Sequence, residues 1–181
     1  MADKSDGQPL PPKPRRPKKT NEPRFEARPS LSRLAGVDLT AIEGIEEGTA
    51  WVILSAIGTD RHRWPSVTHF CRWLGLGPQH NISGGTVLSR RVRPGAHRVA
   101  VALRRAARSV HHAQRAFGAF CRRMKARLGT PKAITATAHT LARLVYPLRT
   151  HGSASVQQGL ENSEAQYHER KVKTMAKQAK A

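Results

Sequence analysis

Acidic residues are missing from the middle of this chain. Between Arg61 and Leu160 there is no Asp or Glu, whereas 18 Lys and Arg fall in the same stretch. The central segment therefore cannot supply paired carboxylates for general acid–base work, nor carboxylate ligands for Mg²⁺. Chemistry carried out there would need a hydroxyl, thiol or imidazole, which excludes most nuclease mechanisms in cis. Cysteine is almost absent too: Cys71 and Cys121 give no disulfide framework, and a reducing, cytoplasmic setting is the simplest expectation. No apolar run approaches the roughly 20 residues of a spanning helix. The polar, proline-rich start has no apolar stretch of a signal peptide, so no membrane partner is expected.

What is present is positive charge. The 181 residues carry 32 Lys and Arg against 12 Asp and Glu, a formal net charge of +20. Such an excess calls for a polyanion, and nucleic acid is the first candidate. A hydrophobic content of 38 % is low for a wholly globular chain and too high for a fully disordered one. The length allows one modest core.

Three parts follow from composition. Residues 1–30 hold seven of the 12 prolines and the basic run Lys13 to Lys19, and read as a disordered basic arm. Residues 31–152 carry the helical periodicity. Residues 153–181 form a polar tail, helical only near Tyr167 to Met175.

Within the middle part, Leu39 to Gly58 reads as a short helix, a glycine turn and a second helix, with Ala50, Ile53, Leu54 and Ile57 on one face and Gly58 as the stop. Ser66 caps a helix burying Val67, Phe70, Trp73 and Leu74. A glycine-rich turn segment from Gly75 to Gly85 runs into an extended Thr86–Val92. Helices are then expected at about Ala96–Gln114, with Val99, Ala102, Leu103, Ala106 and Val110 inward, and at Ala116–Leu128. Thr130-Pro131 starts a last helix, with Thr130 as cap and Ile134, Ala138, Leu141, Val145 and Leu148 as its stripe, stopped by Gly152. The expected fold is mainly α: a helix-hairpin-helix-like start, a helical domain, and a small loop-and-strand insertion.

Three features point toward phosphate. The turn around Gly44 and Gly48 resembles a helix-hairpin-helix, whose backbone N–H groups hold a phosphate without reading sequence. Glu46 and Glu47 oppose that role, so a purely structural hairpin stands beside it. Arg98, Arg104, Arg105 and Arg108 alternate with the apolar stripe of their helix and have no acid within the segment to pair with, which favours phosphate contact. Ser83, followed by Gly84 and Gly85 and upstream of Arg90, Arg91 and Arg93, is the candidate nucleophile. Its hydroxyl could attack a phosphodiester while guanidinium groups stabilise the transition-state charge. A plain Ser-Gly-Gly turn is the bland alternative. The nine histidines show no ligand spacing, and no metal site is expected.

The string Trp73-Leu-Gly-Leu-Gly-Pro-Gln-His-Asn-Ile-Ser83-Gly-Gly-Thr86 resembles the Trp-Leu-Gly-Leu-x-Pro-x-x-x-x-Ser-Gly-Gly-Lys block of insertion-sequence transposases of the IS110/IS116/IS902 family. Further similarities are Leu39-Thr-x-Ile-x-Gly-Ile45, Ile57-Gly-x-Asp60, Ala102-Leu-Arg-x-Ala-Ala107, the run from Phe117 to Gly129, and Lys132 to Tyr146. Thr86 stands where the family usually has Lys, and Ala56 where Glu is common.

The resemblance implies a C-terminal transposase domain in which Ser83 forms a covalent bond to DNA during transposition. It also implies an N-terminal RuvC-like domain with an Asp-Glu-Asp-Asp set and Mg²⁺, which this chain is expected to lack, so no cofactor is expected here. DNA is the implied partner, with a guide RNA and self-association as further expectations, and a nucleoid-associated place in the cytoplasm. Two functional readings remain: the C-terminal part of a DNA-binding transposase or recombinase acting through Ser83 but incomplete alone, and a non-catalytic nucleic-acid-binding remnant or regulator.

Overall fold

A computed structural model describes residues 25–60, 63–77, 81–89, 97–113 and 116–152, together with Leu10, Pro12, Val172 and Met175. Among the described residues, six α-helices and one β-hairpin follow in the order α1 (Arg28–Ala35), a 3-10 turn (Leu39–Ala41), α2 (Glu47–Ile57), α3 (Val67–Trp73), β1 (Asn81–Ser83), β2 (Thr86–Ser89), α4 (Arg98–Val110), α5 (Ala116–Leu128) and α6 (Thr130–His151). The chain is mainly helical, as its periodicity predicts.

The centre of the core is the pair α4 and α6. Val99, Leu103, Ala106, Ala107 and Val110 of α4 are buried, as are Ala138, Leu141, Ala142, Val145 and Leu148 of α6. Both sets recur at three- and four-residue steps, so each forms a stripe that can only leave water against another helix. Small residues in both stripes, such as Ala106, Ala107, Ala138 and Ala142, let the backbones approach, while each buried Leu or Val contributes about 1.5–3 kcal/mol. Around this pair, α2 lies on α4, α3 on α6, α5 on both, and α1 on α2 and the 3-10 turn.

Polar contacts tie the chain connections to α6. Tyr146 donates its hydroxyl to the Trp64 carbonyl at 2.9 Å, and Arg149, one turn later and buried, donates to the Gly58 carbonyl at 2.8 Å. The second bond places a cation at the C-terminal end of α2, where carbonyls lack helical partners. Trp64, Phe70 and Trp73 pack as an aromatic cluster reached by Tyr146 and His97, and the Arg63 guanidinium lies 5.2 Å from the Trp64 ring centre.

Several helix limits differ from the sequence expectation. The segment before Leu31 is not all arm: Phe25 packs edge-on against Trp51, and α1 starts at Arg28. Asp38 explains why α1 is held. Its carboxylate accepts from Arg28 at 2.7 Å and caps the 3-10 turn through the Thr40 N–H and hydroxyl. The expected short helix at Leu39 is that single 3-10 turn. The helix expected over Ala96–Gln114 spans only Arg98–Val110. Gly129, rather than Thr130, occupies the cap position of α6, and Pro131 sits in the first turn, where its missing N–H costs nothing. Ser66 caps α3 and Gly58 and Gly152 end α2 and α6 as expected. In the tail, Val172 and Met175 are helical and exposed; the rest of Tyr167 to Met175 lies outside the described residues.

Candidate nucleic-acid interface

Ser83 ends β1, and Thr86 begins β2 directly opposite it. The two residues between them, Gly84 and Gly85, both have positive φ, at 55° and 79°. That pairing is the requirement of a type I′ turn, whose twist suits two-residue hairpins and which side chains with a Cβ rarely tolerate. A Cβ at either glycine would meet nothing within 4 Å, so conformation, not crowding, demands them. Ser83 is exposed beside this turn, as are both glycines and Thr86. The segment read as a turn thus includes a strand, and the serine stands at its end.

Arg90, Arg91 and Arg93 lie outside the described residues, as do His80 and Arg115. On α4, Arg98, Val101, Arg105 and Arg108 are exposed and recur at helical spacing on the face away from the core. Arg104 is half-buried on the flank of that stripe. No acid is paired with these four arginines among the described residues. His112, just past the helix end, is exposed as well.

Gly44 has φ +86° and sits in the turn between the 3-10 turn and α2. A Cβ there would stand 2.1 Å from Cγ2 of Val110 and 3.4 Å from the Ala106 carbonyl oxygen. Close packing on α4 therefore accounts for this glycine. Gly48 lies in the first turn of α2 with open space around it. Glu46 is the N-cap of α2 and Glu47 its first residue.

Two cavities adjoin α6 that the sequence did not disclose. One, of about 280 Å³, is bordered by Thr68, Cys71 and Arg72 of α3 and its end and by His139 and Arg143 of α6. Burial pushes the Cys71 thiol up to about 11, although Arg143 pulls the other way, so this cysteine is a packed thiol rather than a nucleophile. Burial, then the Arg143 charge, lowers the pKa of His139 below its ordinary value. The other cavity, of about 340 Å³, lies where α4 ends and α5 and α6 pass, with Arg108, His111, His112, Lys125 and Thr130 around it. Loss of hydration and the charges of Lys125, His112 and Arg122 hold His111 below its usual pKa. Arg122 is committed to structure: it donates to the carbonyls of His111 and Ala113 and closes the turn between α4 and α5. The only sequence signal for Lys125 was its place in a basic run; three helices are needed to bring it to Arg108.

The described residues contain no group of three His, Cys, Asp or Glu able to hold a metal ion. With no acid from residue 61 to 160, the donors of that segment do not fit Mg²⁺. Among the described residues no helix is long and apolar enough to cross a membrane. Residues 36–122, from the end of α1 into α5 and including Ser83, match the family described as Transposase IS116/IS110/IS902 family. No curated protein and no solved structure matches the chain.

Proposed function

We propose, from the match of residues 36–122 to the Transposase IS116/IS110/IS902 family, that the chain binds DNA and acts in transposition and recombination, with Ser83 as the nucleophile. The observation carrying this reading is the exposed Ser83 hydroxyl beside a glycine turn within the matched segment. A phosphodiester can approach such a hydroxyl without meeting a Cβ at either following position.

Attack by the serine oxygen forms one P–O bond as the bond to the leaving strand end breaks. The serine proton goes to a base, and the freed strand end carries a new hydroxyl. Because one phosphodiester replaces another, the link can be resealed onto a second strand. Arg98, Arg105 and Arg108 on the outer face of α4, with Arg104 on its flank, would hold DNA phosphates. Arg90, Arg91 and Arg93 follow the hairpin in sequence and would meet the strand nearest Ser83. A guide RNA would use the same cationic faces. Self-association and a nucleoid-associated location in the cytoplasm belong to the same reading.

The carboxylates for a metal step would have to come from outside residues 61–160. That observation favours one second reading, a nucleic-acid-binding protein without catalysis of its own. The two are separated by incubating the full chain with end-labelled DNA, alone and with a RuvC-like domain supplied in trans. A denaturation-resistant DNA adduct lost in Ser83→Ala supports the nucleophile; DNA binding with no adduct under either condition leaves only the second reading. Affinity should fall steeply with salt, with a log–log slope of about −0.9 per phosphate contacted on duplex DNA. Salt-insensitive binding would refute contact through the α4 arginines.

A further inference from the structure

We propose that the cavity between the end of α4, α5 and the start of α6 is a phosphate-binding pocket, with Arg108 and Lys125 as its charged clamp, Thr130 as a hydroxyl donor and His111 at its edge. It lies outside the Ser83 hairpin and includes groups from three helices. It rests in part on the DNA-binding reading above, because the source of phosphate envisaged is a nucleic-acid strand.

The pocket gathers positive charge without counter-charge. Arg108 and Lys125 are exposed at the rim, and neither meets an acid among the described residues. Two such cations bordering one hollow repel each other, and an anion between them relieves that repulsion. The neighbouring groups add to the positive potential. His112 borders the hollow from the turn after α4, and α5 contributes Lys125, with the Arg122 charge also acting on His111. From α6 come Thr130, Ala133 and Ile134, none of which carries charge. Nothing negative faces His111 from any of these elements among the described residues, and loss of hydration first, then the charges of Lys125, His112 and Arg122, hold it toward its neutral form. An anion placed there would reverse that effect.

The shape of the pocket also suits an anion. A hollow of about 340 Å³ bounded by Ala133, Ile134 and Cys121 as well as by cations has apolar walls and a charged rim. Low-dielectric walls strengthen the attraction between the clamp and an anion that enters. A tetrahedral phosphate can take a two-pronged contact from the Arg108 guanidinium, a point charge from Lys125 and a hydrogen bond from Thr130. A flat arginine stripe such as that of α4 has no hollow, so the half-open pocket would fix one phosphate where the stripe only attracts several.

The test uses the full chain and two probes: inorganic phosphate and a fluorescein-labelled single-stranded oligodeoxynucleotide. NMR follows the His111 imidazole, assigned with His111→Gln, and fluorescence anisotropy follows oligonucleotide affinity. The pocket is supported if either probe moves the His111 resonance and raises its pKa, and if Arg108→Ala/Lys125→Ala abolishes the movement while Lys125→Arg retains it. A strand phosphate is the source if the oligonucleotide acts well below the concentration needed for phosphate. A response to inorganic phosphate alone still supports the pocket but assigns it a free phosphate group. For a strand, the double variant should lose about tenfold in affinity at low salt and about 1.4 in log–log salt slope, two contacts at roughly 0.7 each. The pocket is overturned if neither probe moves His111, or if the movement persists unchanged in Arg108→Ala/Lys125→Ala while the oligonucleotide still binds. That last result leaves DNA binding itself intact. Conversely, a chain that binds no DNA but shows the phosphate response refutes the functional reading and keeps the pocket.

Discussion

Substituting Gly44 by Ala decides between two reasons for a glycine in the hairpin turn. If packing requires it, the effect must appear in stability. The added Cβ would lie 2.1 Å from Cγ2 of Val110, and no carbon pair in a folded protein stays that close. Val110 cannot easily yield, because it is β-branched, sits in the last turn of α4 and is only 2 % exposed. Relieving such an overlap by moving a packed element costs about 1–3 kcal/mol. The φ of +86° adds about 1–2 kcal/mol for any residue with a Cβ. The sum, about 2–5 kcal/mol, is a large part of the 5–15 kcal/mol that holds a typical domain together. Urea unfolding followed by circular dichroism should show that loss in Gly44→Ala. The companion Val110→Ala removes the struck methyl, so the double variant should recover about 1 kcal/mol or more relative to the sum of the singles. A Gly44→Ala protein within about 0.5 kcal/mol of the parent, or a strictly additive double variant, refutes the packing account; such a stable variant with DNA affinity lost would point instead to a phosphate held at the turn.

Gly48→Ala should behave oppositely, because its site is open and helical: about 0.4–1 kcal/mol of added stability by urea unfolding, with DNA affinity unchanged unless a phosphate approaches that backbone. Burial alone would raise the Asp38 pKa, but its bonds to Arg28 and Thr40 outweigh this and bring it below the ordinary carboxylate value. Its contribution to stability is therefore present above the unfolded-state pKa and is lost as pH falls through the lower folded-state value. Unfolding curves from pH 7 to 3 should thus show a smaller acid-side decline in Asp38→Asn than in the parent; identical declines would refute the coupling. Cys71 and Cys121, both buried, should react with iodoacetamide at pH 8 far more slowly in the folded chain than in urea, and rapid labelling of native Cys71 would contradict a thiol pushed up to about 11.

Helix periodicity was readable because it needs no long-range information. The stripe Ala50, Ile53, Leu54 and Ile57 is buried throughout, and so are Leu141, Val145 and Leu148, since a stripe of this spacing has one way to leave water. Helix α1 was not readable. Its polar, proline-bearing sequence has only Leu31 and Ala35 to bury, and what holds it is the ion pair from Arg28 to Asp38, ten residues on. The strand before Ser83 escaped notice for a related reason: three residues give no periodicity, and only the partner strand completes them. For the candidate site, the glycine pair and the α4 arginines stood out by composition. The pocket near Lys125 did not, because its walls come from residues 108 to 134 and only the packing of α5 on α4 and α6 brings them together.

The distribution of charge constrains how a nucleic acid could lie on this fold. The described acids are Glu26, Asp38, Glu43, Glu46, Glu47 and Asp60, all at or before the connection that follows α2. Asp38 is already tied to Arg28, and the three glutamates flank the turn that packs by Gly44 onto Val110 and Ala106 of α4. A phosphate at that turn would meet carboxylates within about a Debye length, where repulsion is weakly screened at moderate salt. A strand following Arg98, Arg105 and Arg108 along the outer face of α4 avoids them, and beyond Arg108 it comes to His112 and Lys125. The absence of acid that excludes a carboxylate metal centre between residues 61 and 160 is thus also what leaves the exposed Arg98, Arg105, Arg108 and Lys125 with no carboxylate from their own segment.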